Sequence, residues 1–93
     1  MSLASALRAL ADPARLRLLS FLAHQPDGEA CVCHLTNTAG LSQPTVSHHM
    51  KRLTDAGLVA REKRGAWVYY RLVGERLEAL RAALAPRATG RRA

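Results

Sequence analysis

Ninety-three residues fit one domain rather than two, and a monomer of this size buries only roughly 60–65% of the surface its unfolded chain exposes. Fourteen Lys and Arg against seven Asp and Glu leave a net charge of +7, an excess that favours a polyanionic partner such as nucleic acid. No apolar run approaches the ~20 residues of a membrane span, and the start MSLASALRALADP lacks the basic and apolar regions of a secretory signal, so a cytoplasmic protein is expected, with no membrane partner.

In chain order, Ser2 to Ala11 carries Leu3, Ala6, Leu7 and Leu10 at a helical period, with Ser2 as N-cap. Asp12-Pro13 breaks that helix and starts another, because Asp12 can cap and Pro13 fits a first turn. The second helix runs to about Ala23, with Leu16, Leu19, Phe21 and Leu22 apolar and Arg15 and Arg17 outward. His24 to Gly28 is a loop by composition. Glu29 to Thr38 is expected as a short third helix with Val32 and Leu35 inward, ended by Gly40 in a left-handed conformation. Ser42 caps a fourth helix that holds Pro44 in its first turn, continues to Ala56 and stops at Gly57. Leu58 to Glu62 and Ala66 to Leu72 are rich in Val, Tyr and Trp and flank Lys63-Arg64-Gly65, the pattern of a β-hairpin. Glu75 to Ala85 is a fifth helix with Leu77, Leu80 and Leu84 on one stripe, closed by Pro86. The expected fold is mainly α with a small β-hairpin, in the order α-α-α-α-β-β-α. Residues 1–86 form the domain and residues 87–93 a disordered basic tail.

The fourth helix has two chemically distinct faces. At 100° per residue, Val46, Met50 and Leu53 form a buried stripe with His49 at its edge. Thr45, Ser47, His48, Lys51 and Arg52 lie on the remainder and supply the hydroxyl, imidazole and cationic groups that phosphates and base edges require. The N–H groups near Ser42 and Gln43 suit a phosphate, and Gln43 suits adenine. A short helix ended three residues earlier gives helix-turn-helix spacing. The basic hairpin Arg61-Glu62-Lys63-Arg64 adds a wing, with Lys63 and Arg64 at its tip as backbone contacts. Trp67, Tyr69 and Tyr70 are expected to pack the hairpin rather than to stack on bases.

Both cysteines fall in Cys31-Val32-Cys33-His34. Side chains at i and i+2 on a helix point apart by about 200°, so free thiols are expected rather than a disulfide. Soft thiolates suit arsenite, antimonite or soft and borderline divalent metals. The plain alternative is a pair of small core residues; another is redox sensing. No nucleophile–base pair, glycine-rich phosphate loop or metal-hydrolase spacing is present, so no enzyme is expected.

The segments ALRALADPARLRLLSFL, ACVCHLT, GLSQPTVSHHMKRLTDAGLV and REKRGAWVYYRL cover most of Leu3 to Leu72. In order and spacing they resemble the ArsR/SmtB family of winged-helix metalloregulatory repressors. The resemblance implies a homodimer with the first and fifth helices packed across a two-fold axis, a palindromic operator in double-stranded DNA, and release of that DNA when a ligand binds. The stripes Leu3, Leu7, Leu10 and Leu77, Leu80, Leu84 suit such an interface independently. In the arsenic-sensing branch the third helix looks like Cys-Val-Cys-Asp-Leu-Cys. Here Cys31, Val32 and Cys33 match, while His34 and Thr36 replace the aspartate and the third cysteine. The resemblance thus implies Cys31 and Cys33, with His34 as a further candidate ligand, as the site for an arsenite-like or soft divalent inducer. Ligand binding is expected to distort the start of the third helix and shift the reading helices. A divalent metal such as Ni, Zn or Cd, or control by a partner protein without tight metal binding, are the alternatives. The family's second site type uses His, Asp and Glu on the fifth helix, which here offers Glu75 and Glu78 but no histidine.

Overall fold

The computed structural model describes residues 2–86. The expected tail, 87–93, lies outside them. Five helices surround a three-stranded antiparallel sheet: α1 (Leu3–Leu10), α2 (Pro13–Ala23), β1 (Glu29–Cys31), α3 (Val32–Ala39), α4 (Gln43–Asp55), β2 (Val59–Arg64), β3 (Trp67–Leu72) and α5 (Gly74–Leu84), with one 3-10 turn at Pro26–Gly28. No helix among the described residues is long and apolar enough to cross a membrane.

The helix ends form for the reasons the sequence suggests. The Ser2 hydroxyl accepts the Ser5 N–H, the Asp12 carboxylate accepts the Ala14 and Arg15 N–H groups, and the Ser42 hydroxyl accepts the Thr45 N–H. Gly40 closes α3 at φ 67° and donates to the Thr36 carbonyl, a conformation that costs glycine nothing.

One element is not the expected one. Glu29 to Cys31 is a strand, not the first turn of α3, and it pairs with β3 in the order β1-β3-β2. Ala30 sits opposite Tyr70, and both are buried. This pairing spans some forty residues, and a local period cannot reveal it. The hairpin is also longer than expected. Lys63 and Arg64 belong to β2, paired with Val68 and Trp67, and the turn is Gly65-Ala66 with Gly65 at φ 62°. A two-residue hairpin loop of the primed type requires such a positive φ.

The core joins Leu18, Leu19 and Leu22 of α2, Leu35 of α3, Val46, Met50 and Leu53 of α4, Leu58 and Val59 before and in β2, Tyr70 of β3 and Leu80 of α5. Three outcomes on this core refine or correct the sequence reading. Leu16, one of the apolar residues named on this helix, is 52% exposed, while Leu18 is buried. Apolar residues on α2 spread over more than one face, so their period does not choose between them. Arg15, expected outward, is largely buried: its Nε donates to the Ala9 carbonyl at 2.6 Å and its guanidinium lies 3.5 Å from His49 Nδ1. Leu80, expected at a dimer surface, is 7% exposed within this single chain, and Leu10 and Leu77 pack partly against the same core. Leu3, Leu7 and Leu84 remain exposed at 41%, 42% and 63%.

Candidate nucleic-acid interface and thiol pair

Burial of Val46, Met50 and Leu53 fixes the rotation of α4 and therefore which side chains it offers. Gln43, Ser47 and Lys51 line one cleft of about 510 Å³ with Arg61, Val68 and Tyr70 of the hairpin. Their four-residue spacing puts them on one stripe of the helix. Ser42, Thr45 and His48 are also exposed. Arg52 is exposed but lines a separate hollow with Arg8, Arg15 and Asp55, beside α1. Lys51 pairs with Asp55 at 3.1 Å, an exposed contact between helix neighbours that a phosphate can replace at little cost. His49 is half-buried and faces Arg15, as expected of a residue at the edge of the buried stripe.

Strand alternation sorts the wing's cations. Arg61 and Lys63 share a face with the buried Val59 and Tyr70, so they project on the side of α4. Arg61 was not singled out as a contact in the sequence reading. The signal is its period-2 register with Val59, which the expected strand already contains. Arg64 points the other way. Its guanidinium bonds both carboxylate oxygens of Glu29, at 2.8 and 3.0 Å, and Glu62 at 2.7 Å, and it lies 4.3 Å over the Tyr69 ring. These carboxylates raise its pKa, and the Arg64 fork in turn holds the Glu29 carboxyl below the usual carboxylate range. Arg64, expected at the wing tip as a DNA contact, is instead paired with Glu29 and Glu62 on the reverse face of the sheet.

Cys31 and Cys33 are joined as a disulfide, which corrects the expectation of free thiols. Cys31 is not helical. It is the last residue of β1, at φ −76° and ψ 158°, and the N-cap of α3. An extended residue followed by a helix turns the two side chains toward each other, with Cα atoms 5.4 Å apart, inside the range a disulfide spans. The helix-wheel separation of 200° does not apply, so no distortion of α3 is required to bring the sulfurs together. Cys31 Sγ also accepts the His34 N–H at 3.3 Å. The His34 ring packs edge-on against Phe21, with centroids 5.1 Å apart. No cluster of three or more His, Cys, Asp or Glu that could hold a metal ion occurs among the described residues. On α5, Glu78 is engaged by Arg81.

Comparison with known proteins agrees with this fold. Residues 12–61 match the model of the arsR family of bacterial regulatory proteins. An arsenic resistance transcriptional regulator of Pseudomonas putida is 45% identical over 65 residues, 70% of this chain and 49% of that protein. The chain therefore spans about half the length of that relative. An arsenical resistance operon repressor of Bacillus subtilis is 40% identical over 73 residues, covering 78% of this chain and 68% of its own. Among solved structures, a homodimeric winged helix-turn-helix DNA-binding domain of Mycobacterium bovis, a possible ArsR-family regulator, superposes with a TM-score of 0.74 at 32% identity, over 87% of this chain and 72% of that one. The fold, the reading helix with its wing and these likenesses place the chain in the ArsR family, a family of DNA-binding transcriptional regulators and not of enzymes.

Proposed function

We propose that the chain is a repressor that binds its promoter as a homodimer and leaves it when the reduced Cys31–Cys33 pair takes a trivalent arsenic species or another thiophilic ion. One observation carries this reading. The cysteine pair sits at the junction of β1, which belongs to the wing's sheet, and α3, the helix packed against the reading helix. A ligand at that junction adjoins both DNA-contacting elements.

Gln43, Ser47 and Lys51 read or grip the major groove from α4, helped by Ser42, Thr45 and His48, while Arg61 and Lys63 approach backbone phosphates from the wing. Arg52 grips flanking backbone if the DNA reaches the hollow beside α1. Leu3, Leu7 and Leu84 supply the two-fold contact, consistent with the homodimeric M. bovis domain.

Reduction of the disulfide yields two thiols. On arsenite binding each thiol gives up a proton, a hydroxide departs as water, and a sulfur–arsenic bond forms. Two bonds from one arsenic fix the end of β1 to the first turn of α3 at a single spacing, a constraint that the two unbonded thiols of the reduced, DNA-bound state do not impose. Binding that favours this state over the DNA-bound one weakens DNA affinity by linkage. His34, whose ring is occupied by Phe21, is not required.

The test is a thiol titration. Reduced protein should show two reactive thiols per chain, both protected by one equivalent of arsenite. Protection of neither would refute the site.

A further inference from the structure

We propose that Arg64 and Glu29 are positioning residues that carry the state of the cysteine pair to the wing. The inference rests on the functional reading above. It arises from the face of the sheet opposite the one that carries Arg61 and Lys63. On that face β1 places Glu29 and Cys31, with Arg71 and Tyr69 as their register partners on β3. Tyr69 is the ring under Arg64, and Arg64 is the residue whose fork closes on Glu29 from 35 positions away. Arg64 therefore spans β3 and ties the outer strand that ends in Cys31 to the outer strand that carries Arg61 and Lys63.

The geometry makes this tie sensitive to position. β1 is three residues long, so its ladder to β3 is short. A two-bond fork tolerates little displacement of the carboxylate, because both N–H groups must stay aligned with both oxygens. When β1 moves at Cys31, Glu29 moves two residues away on the same face. The fork is lost, and Arg64 relaxes onto Glu62 within its own strand. Arg61 and Lys63 stand on the opposite face of that strand and change orientation with it. Two carboxylates on one guanidinium thus form a selector: Glu29 holds the wing to the sensor, and Glu62 holds it to itself.

Trp67 permits a direct test. It is the chain's one tryptophan, it is exposed, and it is the register partner of Arg64. Its fluorescence would be followed in the full-length wild type, Glu29→Gln and Glu62→Gln proteins. The oxidised protein is first treated with a phosphine reductant, which gives two electrons to the S–S bond, yielding two thiols and, with the oxygen of water, the phosphine oxide. Sodium arsenite is then added. Wild type should change emission at each step, Glu62→Gln should respond likewise, and Glu29→Gln should respond to neither. The ratio of DNA dissociation constants with and without arsenite should fall by about fivefold in Glu29→Gln relative to wild type, with melting temperatures of both variants recorded. A full response in Glu29→Gln would overturn the proposal, as would equal loss in both variants in step with their melting temperatures, or a wild type silent at both steps. A reduction response that needs Glu29, together with no arsenite effect on emission or DNA, would uphold the coupling and refute arsenite as inducer.

Discussion

Arg61 of β2 and Tyr70 of β3 are register partners across the hairpin, and the pairing that buries the Tyr70 ring under the domain also aims Arg61 into the cleft shared with Lys51. Wing orientation is thus set by the core. Arg61→Ala, Lys63→Ala and Lys51→Ala should each weaken binding to any duplex and flatten the salt dependence of log K by about one unit. Arg64→Ala removes no phosphate contact of its own, because its charge is met by Glu29 and Glu62, and should flatten the slope less than Arg61→Ala or Lys63→Ala. Anisotropy titrations across a salt series measure both.

The apolar patch on α1 and α5 should control assembly. Leu7→Glu and Leu84→Glu place charges on exposed apolar positions and should shift the protein to monomers in sedimentation, with operator affinity falling as half-sites lose their linkage. Leu80→Glu should instead unfold the chain, because that side chain is in the monomer's own core.

Leu35 supports the reading helix from α3 and is fully buried among core residues. Leu35→Ala should cost about 2–5 kcal/mol of stability, seen as a lower denaturation midpoint, through lost burial and the cavity left behind.

The Glu29–Arg64 pair gives stability a defined pH dependence. The Arg64 hydrogen bonds, above all, lower the Glu29 pKa, so the folded state holds that proton less tightly than the unfolded state. Its contribution is complete above the unfolded value near pH 4 and is lost as pH falls through the lower folded value. Glu29→Gln should therefore show a shallower loss of stability on acidification than wild type. Parallel denaturant curves at neutral and acid pH compare them.

The helices, their caps and the buried stripe of α4 were legible because each depends on neighbours within a turn: Ser42 and Thr45, Gly40 and Thr36, and Val46, Met50 and Leu53. What escaped was set by distant pairing. Glu29 to Cys31 become a strand because β3 lies beside them, and that change also brings the two sulfurs together and sets Glu29 where Arg64 bonds it. Arg61 lay within the expected strand, but which face of that strand turns toward α4 is set by the packing of Val59 and Tyr70. Leu80 was misplaced because an apolar stripe does not reveal whether it meets its own core or a second copy.

Control of DNA release by the cysteine pair requires that arsenite act through both thiols. The most direct measurement is anisotropy of a labelled fragment of the chain's own promoter with reduced protein, titrated with arsenite, for wild type, Cys31→Ser and Cys33→Ser. Equal affinity of all three for DNA, with release by arsenite in wild type alone, is the predicted result. Undiminished release from either serine variant, or wild type that stays bound at saturating arsenite, would contradict it.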